Sequence, residues 1–182
     1  MKKTVLLLLV LIASTQFTNA QSDATLDEVK DFVEQKFRLE NYVVTGNTIS
    51  KLSNTIISIT GCDCRISYDK ETGSERSGDV FWNRKYELYF SLSDLTTEGS
   101  KIGELSLGSG ITINNEKIFS LIFNSKNDYK DFKQVIHKRD GSLQTNYFKN
   151  REIMWSTNKE LLERIEKAFS RGIELCQRKD KF

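Results

Sequence analysis

NKELLERIEKAFSRGIELCQR, residues 158–178, decides the architecture. Leu162, Ile165, Phe169, Gly172 and Cys176 recur at helical spacing, and Leu161, Ala168, Ile173 and Leu175 widen that apolar stripe. Glu160, Arg164, Glu166, Lys167, Arg171 and Glu174 face away from it. Thr157 followed by Glu160 has capping-box spacing, and Arg178, Lys179 and Lys181 complement the negative end of the helix dipole. A stripe this wide has to be buried, and the chain before it is strand-like. The expected fold is therefore α+β: an N-terminal helix, an antiparallel sheet or half-open barrel of roughly six to eight strands, and the long amphipathic C-terminal helix packed on it.

Working back from that helix, Thr25 to Leu39 predicts a first helix, with Leu26, Val29, Phe32, Val33 and Phe37 on one side and a Thr25/Glu28 capping box at its start. Ile57 and Ile59 then alternate with Ser58 and Thr60. The parity switches after Gly61, so that Cys62, Cys64, Ile66 and Tyr68 share a face. A strand cannot change faces without an extra residue, so Gly61 predicts a bulge or turn. Asp69 to Asp79 reads as a polar loop. Val80 to Leu92 reads as a strand with Tyr86, Leu88, Phe90 and Leu92 on one side. Short strands are expected at 102–107 and 111–113, and a strand apolar on both faces at Ile118 to Phe123. Asp128 to Arg139 fits both periods; the polar return through Tyr147 and the final strand Glu152 to Trp155 favour strand.

Residues 1–20 have the form of a secretory signal peptide: Lys2 and Lys3, an apolar run from Val5 to Ala13, then Thr18-Asn19-Ala20 before Gln21. The run is too short for a bilayer core of about 30 Å, and no later stretch is long and apolar enough to span one. The expected address is secreted or periplasmic, with residues 21–182 as a single α+β domain and no membrane span. Losing Lys2 and Lys3 lowers the basic count from 27 to 25, equal to the 25 acidic residues. The basic side chains are interleaved with acids, so no nucleic-acid surface is indicated. Proline is absent, and no low-complexity linker separates a second domain.

Through this leader, the opening helix and the ending ERIEKAFSRGIELC, the chain resembles small exported proteins of unknown function common in Bacteroidota bacteria. Strands followed by one C-terminal helix also resemble a pleckstrin-homology-like barrel, from whose simplest plan the N-terminal helix departs. Neither resemblance implies a catalytic residue.

The three cysteines carry the most chemical information. In an oxidising compartment, Cys176 on the helix stripe can bridge Cys62 or Cys64; a vicinal Cys62–Cys64 bond suits strand geometry poorly. The alternatives are three buried reduced thiols, or a zinc set completed by His137, the sole histidine, for which the spacing gives no support. Triad catalysis would have to run through His137, and no Gly-x-Ser-x-Gly elbow accompanies it. Asp69, Glu71 and Glu75 around Gly73 miss calcium-loop spacing, and Gly108-Ser109-Gly110 lacks the lysine of a phosphate loop. No catalytic residue, cofactor or metal is therefore assigned.

Phe81 and Tyr89 share the strand parity opposite to Trp82 and Tyr86, so an exposed second face would make Phe81 and Tyr89 a ligand patch for a sugar, peptide or protein partner. The expected function is an exported non-catalytic binding or envelope accessory domain. The alternatives are a small carboxylate-based hydrolase and a partner-binding or inhibitor protein. The leader is checked by intact-mass analysis of the exported protein: its N-terminus is expected at Gln21, with a small further mass loss from cyclisation of that glutamine.

Overall fold

The C-terminal stripe is buried as its spacing requires. In a computed structural model, which describes residues 24–37, 42–45, 48–74, 79–104, 112–113, 116–126 and 131–179, the long helix runs Lys159–Lys179. Leu162, Ile165, Phe169 and Cys176 on it are entirely out of water, and Ile173 is nearly so. The cap lies one residue later than expected. Asn158 Oδ1 accepts the Leu161 amide at 2.9 Å, so Asn158 rather than Thr157 takes up the donor three residues into the helix. The first helix, α1 (Leu26–Lys36), is capped as expected: the Thr25 amide donates to Glu28 at 2.7 Å and the Glu28 amide to Thr25 Oγ1 at 3.3 Å. The C-terminal helix is α2.

Between the helices run β1 (Tyr42–Thr45), β2 (Thr48–Thr60), β3 (Asp63–Ser74), β4 (Val80–Ser91), a 3₁₀ turn (Leu92–Asp94), β5 (Leu95–Glu104), β6 (Thr112–Ile113), β7 (Glu116–Lys117), β8 (Phe119–Ser125), β9 (Phe132–His137), β10 (Leu143–Phe148) and β11 (Asn150–Ser156). All pairings among the described residues are antiparallel. One sheet has the order β1-β2-β3-β4-β9-β10, a second β11-β8-β5, and β6 and β7 form a small ribbon. The sheets do not close into a barrel. Eleven strands appear among the described residues where about six to eight were expected; the polar β10 shows no apolar alternation and β7 is only two residues long.

Asp69–Ser74 is the clearest correction. This polar stretch is strand, not loop, because β2 and β4 flank it and offer hydrogen-bond partners along its whole length. Lys51 lies 3.8 Å from Glu71, and Asn54 donates to Asp69 at 2.7 Å. Asp69 and Glu71 are therefore ladder residues rather than parts of a cation loop. Glu75, the Gly108–Gly110 motif, Asp128, Tyr129 and the leader lie outside the described residues. Gly61 forms the β2–β3 turn at φ +60°, the conformation for which glycine has no steric cost. The strand expectation for the 128–139 segment holds over Phe132–His137.

One continuous core joins both sheets and both helices. The Phe169 ring on α2 sits 5.5 Å from Phe123 of β8 and 6.4 Å from Phe90 of β4, which in turn lies 5.3 Å from Phe132 of β9. A Cβ on Gly172 would stand 3.1 Å from Leu92 and 3.3 Å from Val29, so the missing side chain lets the 3₁₀ turn and α1 close together on α2.

Cys62 and Cys176, 114 residues apart, form a disulfide. Cys62 stands in the Gly61 turn rather than beside Cys64 on the strand face. Cys64 points into the core as a buried thiol, where burial first, then the charges of Asp63 and Glu34, push its pKa far above the ordinary value. Helix α2 packs against α1, the 3₁₀ turn, β5, β8 and β11, whereas its bridge runs to the β2–β3 turn. The bond thus fastens the helix to the sheet it touches least. Non-reducing peptide mapping is expected to recover a Cys62–Cys176 pair, with Cys64 alkylated only after denaturation. The Cys62→Ser variant is expected to lose about 4–5 kcal/mol in urea unfolding on chain-entropy grounds.

Candidate functional site

Strand β4 carries two features that the core does not absorb. At its head, Val80, Phe81 and Trp82 are exposed by 54, 54 and 45%. Seven residues beyond Trp82 on the same strand, Tyr89 belongs to a charged network on the outer face of the six-stranded sheet. Phe81 and Tyr89 share a strand, but eight residues at about 3.4 Å each hold them roughly 27 Å apart. They do not form one patch. Phe81 instead meets Trp82, with ring centroids 6.3 Å apart and planes at 51°.

The exposure of Trp82 corrects the expectation that it shares a covered face with Tyr86. Its parity is as expected, and Tyr86 is half-buried, stacked 5.3 Å from Tyr68 with planes 5° apart. However, β9 pairs with β4 only over Lys85–Tyr89, so β4 outruns its neighbour and residues 80–84 form an edge. The register shifts between Thr72 and Gly73, where Val80 pairs with Gly73 and Trp82 with Thr72, leaving Phe81 as the extra residue of a bulge. Gly73 is required there: a Cβ would come within 2.5 Å of the Asp79 carbonyl oxygen. Arg84 lies 5.3 Å from the Trp82 ring centre, a cation–π distance.

The network at the other end centres on Glu87, whose side chain is only 8% exposed. It accepts hydrogen bonds from Arg65 of β3, from Tyr89 Oη at 3.1 Å and from His137 Nε2 of β9 at 2.9 Å, with Lys85 Nζ 3.7 Å away. Desolvation pushes the carboxyl pKa up, but the bonds from His137, Arg65 and Tyr89 and the charge of Arg65 together outweigh it and hold Glu87 at about 2. An ionised carboxylate only accepts, so His137 carries its proton on Nε2 here. Burial, followed by the bond to Glu87, raises the Tyr89 phenol and keeps it a donor. Arg65, Tyr89, Lys133 and Tyr147 lie in register across four strands, with Arg65 and Lys133 each 5.8 Å from the Tyr89 ring centre.

The histidine that any triad would have to use is therefore tied to a carboxylate on the outer face, while Cys64 faces the core and Cys62 and Cys176 are consumed in their bridge. That bridge also removes two ligands from the zinc set, and no group of three or more His, Cys, Asp or Glu among the described residues is arranged to hold a metal ion. A groove of about 800 Å³ lies between α1 and α2, walled by Phe32, Arg164, Lys167 and Arg171; its rim includes Ala24, where the described chain begins. Glu87 was not legible as a centre from sequence. By alternation it has the outward parity, opposite Tyr86, Leu88 and Phe90, so nothing in the strand pattern marked it as buried.

No protein-family model, curated protein or solved structure matches the chain.

The low pKa of Glu87 fixes the sign of its contribution to stability. A carboxyl depressed on folding stabilises above its unfolded value of 4.5, and that stabilisation is lost as pH falls toward 2. The shift sets an upper bound of ~3 kcal/mol, which solvent screening of the half-exposed Arg65 and His137 reduces to about 1–2 kcal/mol. In urea melts Glu87→Gln is expected to be less stable than the native chain by that amount at pH 7, with the gap closing below about pH 3.

Proposed function

We propose that this is an exported, non-catalytic binding domain whose working surface is the overhanging head of β4. The observation that carries the reading is the run Val80-Phe81-Trp82: three consecutive large apolar side chains left in water beside a core that buries Phe90, Phe123, Phe132 and Phe169. Strand residues normally alternate covered and exposed, so such a run costs solubility unless a partner covers it. Among the described residues no strand pairs with the head of β4 on the side that β9 does not reach, and the bulge at Phe81 re-aims the side chains outward.

Export rests on the leader-like residues 1–20 and fits a bridge of the kind that persists in oxidising compartments. The carboxylate-hydrolase alternative requires an acid that holds its proton near neutral pH. Glu87, at about 2, is ionised throughout that range, and its oxygens are already taken by three donors. It serves better as the electrostatic knot joining β3, β4 and β9 behind the binding edge.

The test is retention of the mature chain on fractionated envelope material from the producing cell, compared with Phe81→Ser/Trp82→Ser. Because both positions are surface sites, the double variant is expected to keep its unfolding midpoint within about 0.5 kcal/mol per site. Its retention is expected to fall at least about tenfold. Equal retention of the two chains would remove β4's head from the function.

A further inference from the structure

We infer that the seam between the two sheets holds a carboxylate-binding site, built by Arg151, Tyr68 and Gln134 with Lys70 beside them. It lies apart from the head of β4 and does not depend on that reading. The inward row Ile66, Leu88, Gln134 runs in register across β3, β4 and β9, and its third member is an amide where the other two are aliphatic. Gln134 is only 4% exposed, its side chain hydrogen-bonds to no other described residue, and it opens onto a cleft of about 20 Å³ that Tyr68, Arg151 and Trp155 also line. Burying an amide unpaired is unfavourable, so such a group in a native fold marks a place where a partner from outside the chain is received.

The groups around that amide are donors. Burial raises the pKa of the Tyr68 phenol, which therefore keeps its proton, and the Arg151 guanidinium stands beside that hydroxyl, 4.6 Å from the Phe148 ring centre. Lys70 is half-buried two residues beyond Tyr68 on the same strand face, and burial first, then the charge of Arg151, lowers its pKa. Neither cation makes an ion pair among the described residues. Glu71 is matched by Lys51, Asp69 by Asn54, and Glu152, the one acid on the cleft, accepts the Trp155 indole N–H at 3.0 Å. Two like charges brought together out of water are a cost that one bound anion removes. A carboxylate fits best. Its two oxygens offer about four acceptor sites to the guanidinium, phenol, amide and ammonium, and the guanidinium fork matches its plane. The cleft has room for roughly one water-sized group, so it takes the flat head of a ligand rather than a bulkier tetrahedral phosphate.

The experiment titrates the mature full-length chain, in a Trp82→Phe background that leaves Trp155 as the only indole, with acetate, inorganic phosphate and, at matched ionic strength, chloride. Acetate is expected to change Trp155 emission saturably, with a dissociation constant on the order of 10 mM, and to raise the unfolding midpoint. Phosphate is expected to bind at least about tenfold more weakly, and chloride to give no saturable change. Arg151→Gln and Gln134→Leu are each expected to weaken acetate binding at least about tenfold, and Lys70→Gln about threefold. Gln134→Leu completes an aliphatic row and so keeps the fold, which separates loss of the site from loss of structure. A free organic acid and the C-terminal carboxylate of a peptide share this chemistry, and N-acetylglycine set against acetate tells them apart, since only a site for a chain end gains from the added amide. No saturable response to acetate would overturn the inference and leave a cleft that takes water only. So would a response that survives Arg151→Gln or Gln134→Leu, or phosphate binding as tightly as acetate. An equal effect of chloride is charge screening and overturns it as well.

Discussion

The seating of α2 governs the rest of the molecule. Its stripe meets two sheets that share no strand pairing among the described residues, and Phe169 packs between Phe123 on one and Phe90 on the other. The ring belongs to a single core that also holds Ile66 and Leu88 of the six-stranded sheet and Leu121, Ile153 and Met154 of the three-stranded one. The cost of opening such a junction is set by the apolar area involved, ~1.5–3 kcal/mol for each fully buried large side chain, and five of α2's side chains are at or within 1% of full burial. Several polar ties lie at its rim. Gln177 donates to the Leu95 carbonyl at 2.8 Å, and the Leu92 amide donates to the Cys62 carbonyl at 2.8 Å beside the disulfide. The bridge supplements the seating rather than creating it: apolar burial orients the helix, and the covalent bond prevents its C-terminal turns from fraying away from the six-stranded sheet.

What could be read in advance was whatever a local period encodes. The stripe from Leu162 to Cys176, the capping box at Thr25 and the parity switch at Gly61 are each written in a few neighbouring residues, and each is where it was expected. What could not be read depends on which strands are neighbours. Asp69–Ser74 has the composition of a loop and is strand only because β2 and β4 run alongside it. Trp82 has the parity of a covered residue and is exposed only because β9 stops at Lys85. Cys62, assigned to a strand face with Cys64, is in the turn because Gly61 and Cys62 together make the reversal. The pairing of Cys176 with Cys62 rather than Cys64 follows from that placement.

Strand lengths thus account for the site as much as its residue types do. β2 and β3 run the full length of the sheet, while β9 and β10 cover only half of it. The covered half of β4 is held from both sides, and there an acid can be buried because Arg65, Tyr89 and His137 converge on it from three strands. Among the described residues the uncovered half has one neighbouring strand, a bulge and a glycine without which the Asp79 carbonyl could not approach. The same strand is consequently stiff behind and open in front.

That division explains why a charged knot and an apolar rim occur together. An edge strand with exposed Val, Phe and Trp invites pairing with other chains, and proteins usually blunt such edges with charge or shape. Here Arg84 and Lys85 stand immediately behind the rim, and the Phe81 bulge breaks the flat register that a second strand would need. These two features leave the backbone a poor template while keeping the aromatic rings exposed. Glu87 then keeps the cationic flank from destabilising the sheet: its single buried charge offsets Arg65 and draws Lys85 within 3.7 Å, on a face where Lys133 adds further positive charge. Protonating Glu87 would release that restraint and weaken the tie that it makes among β3, β4 and β9.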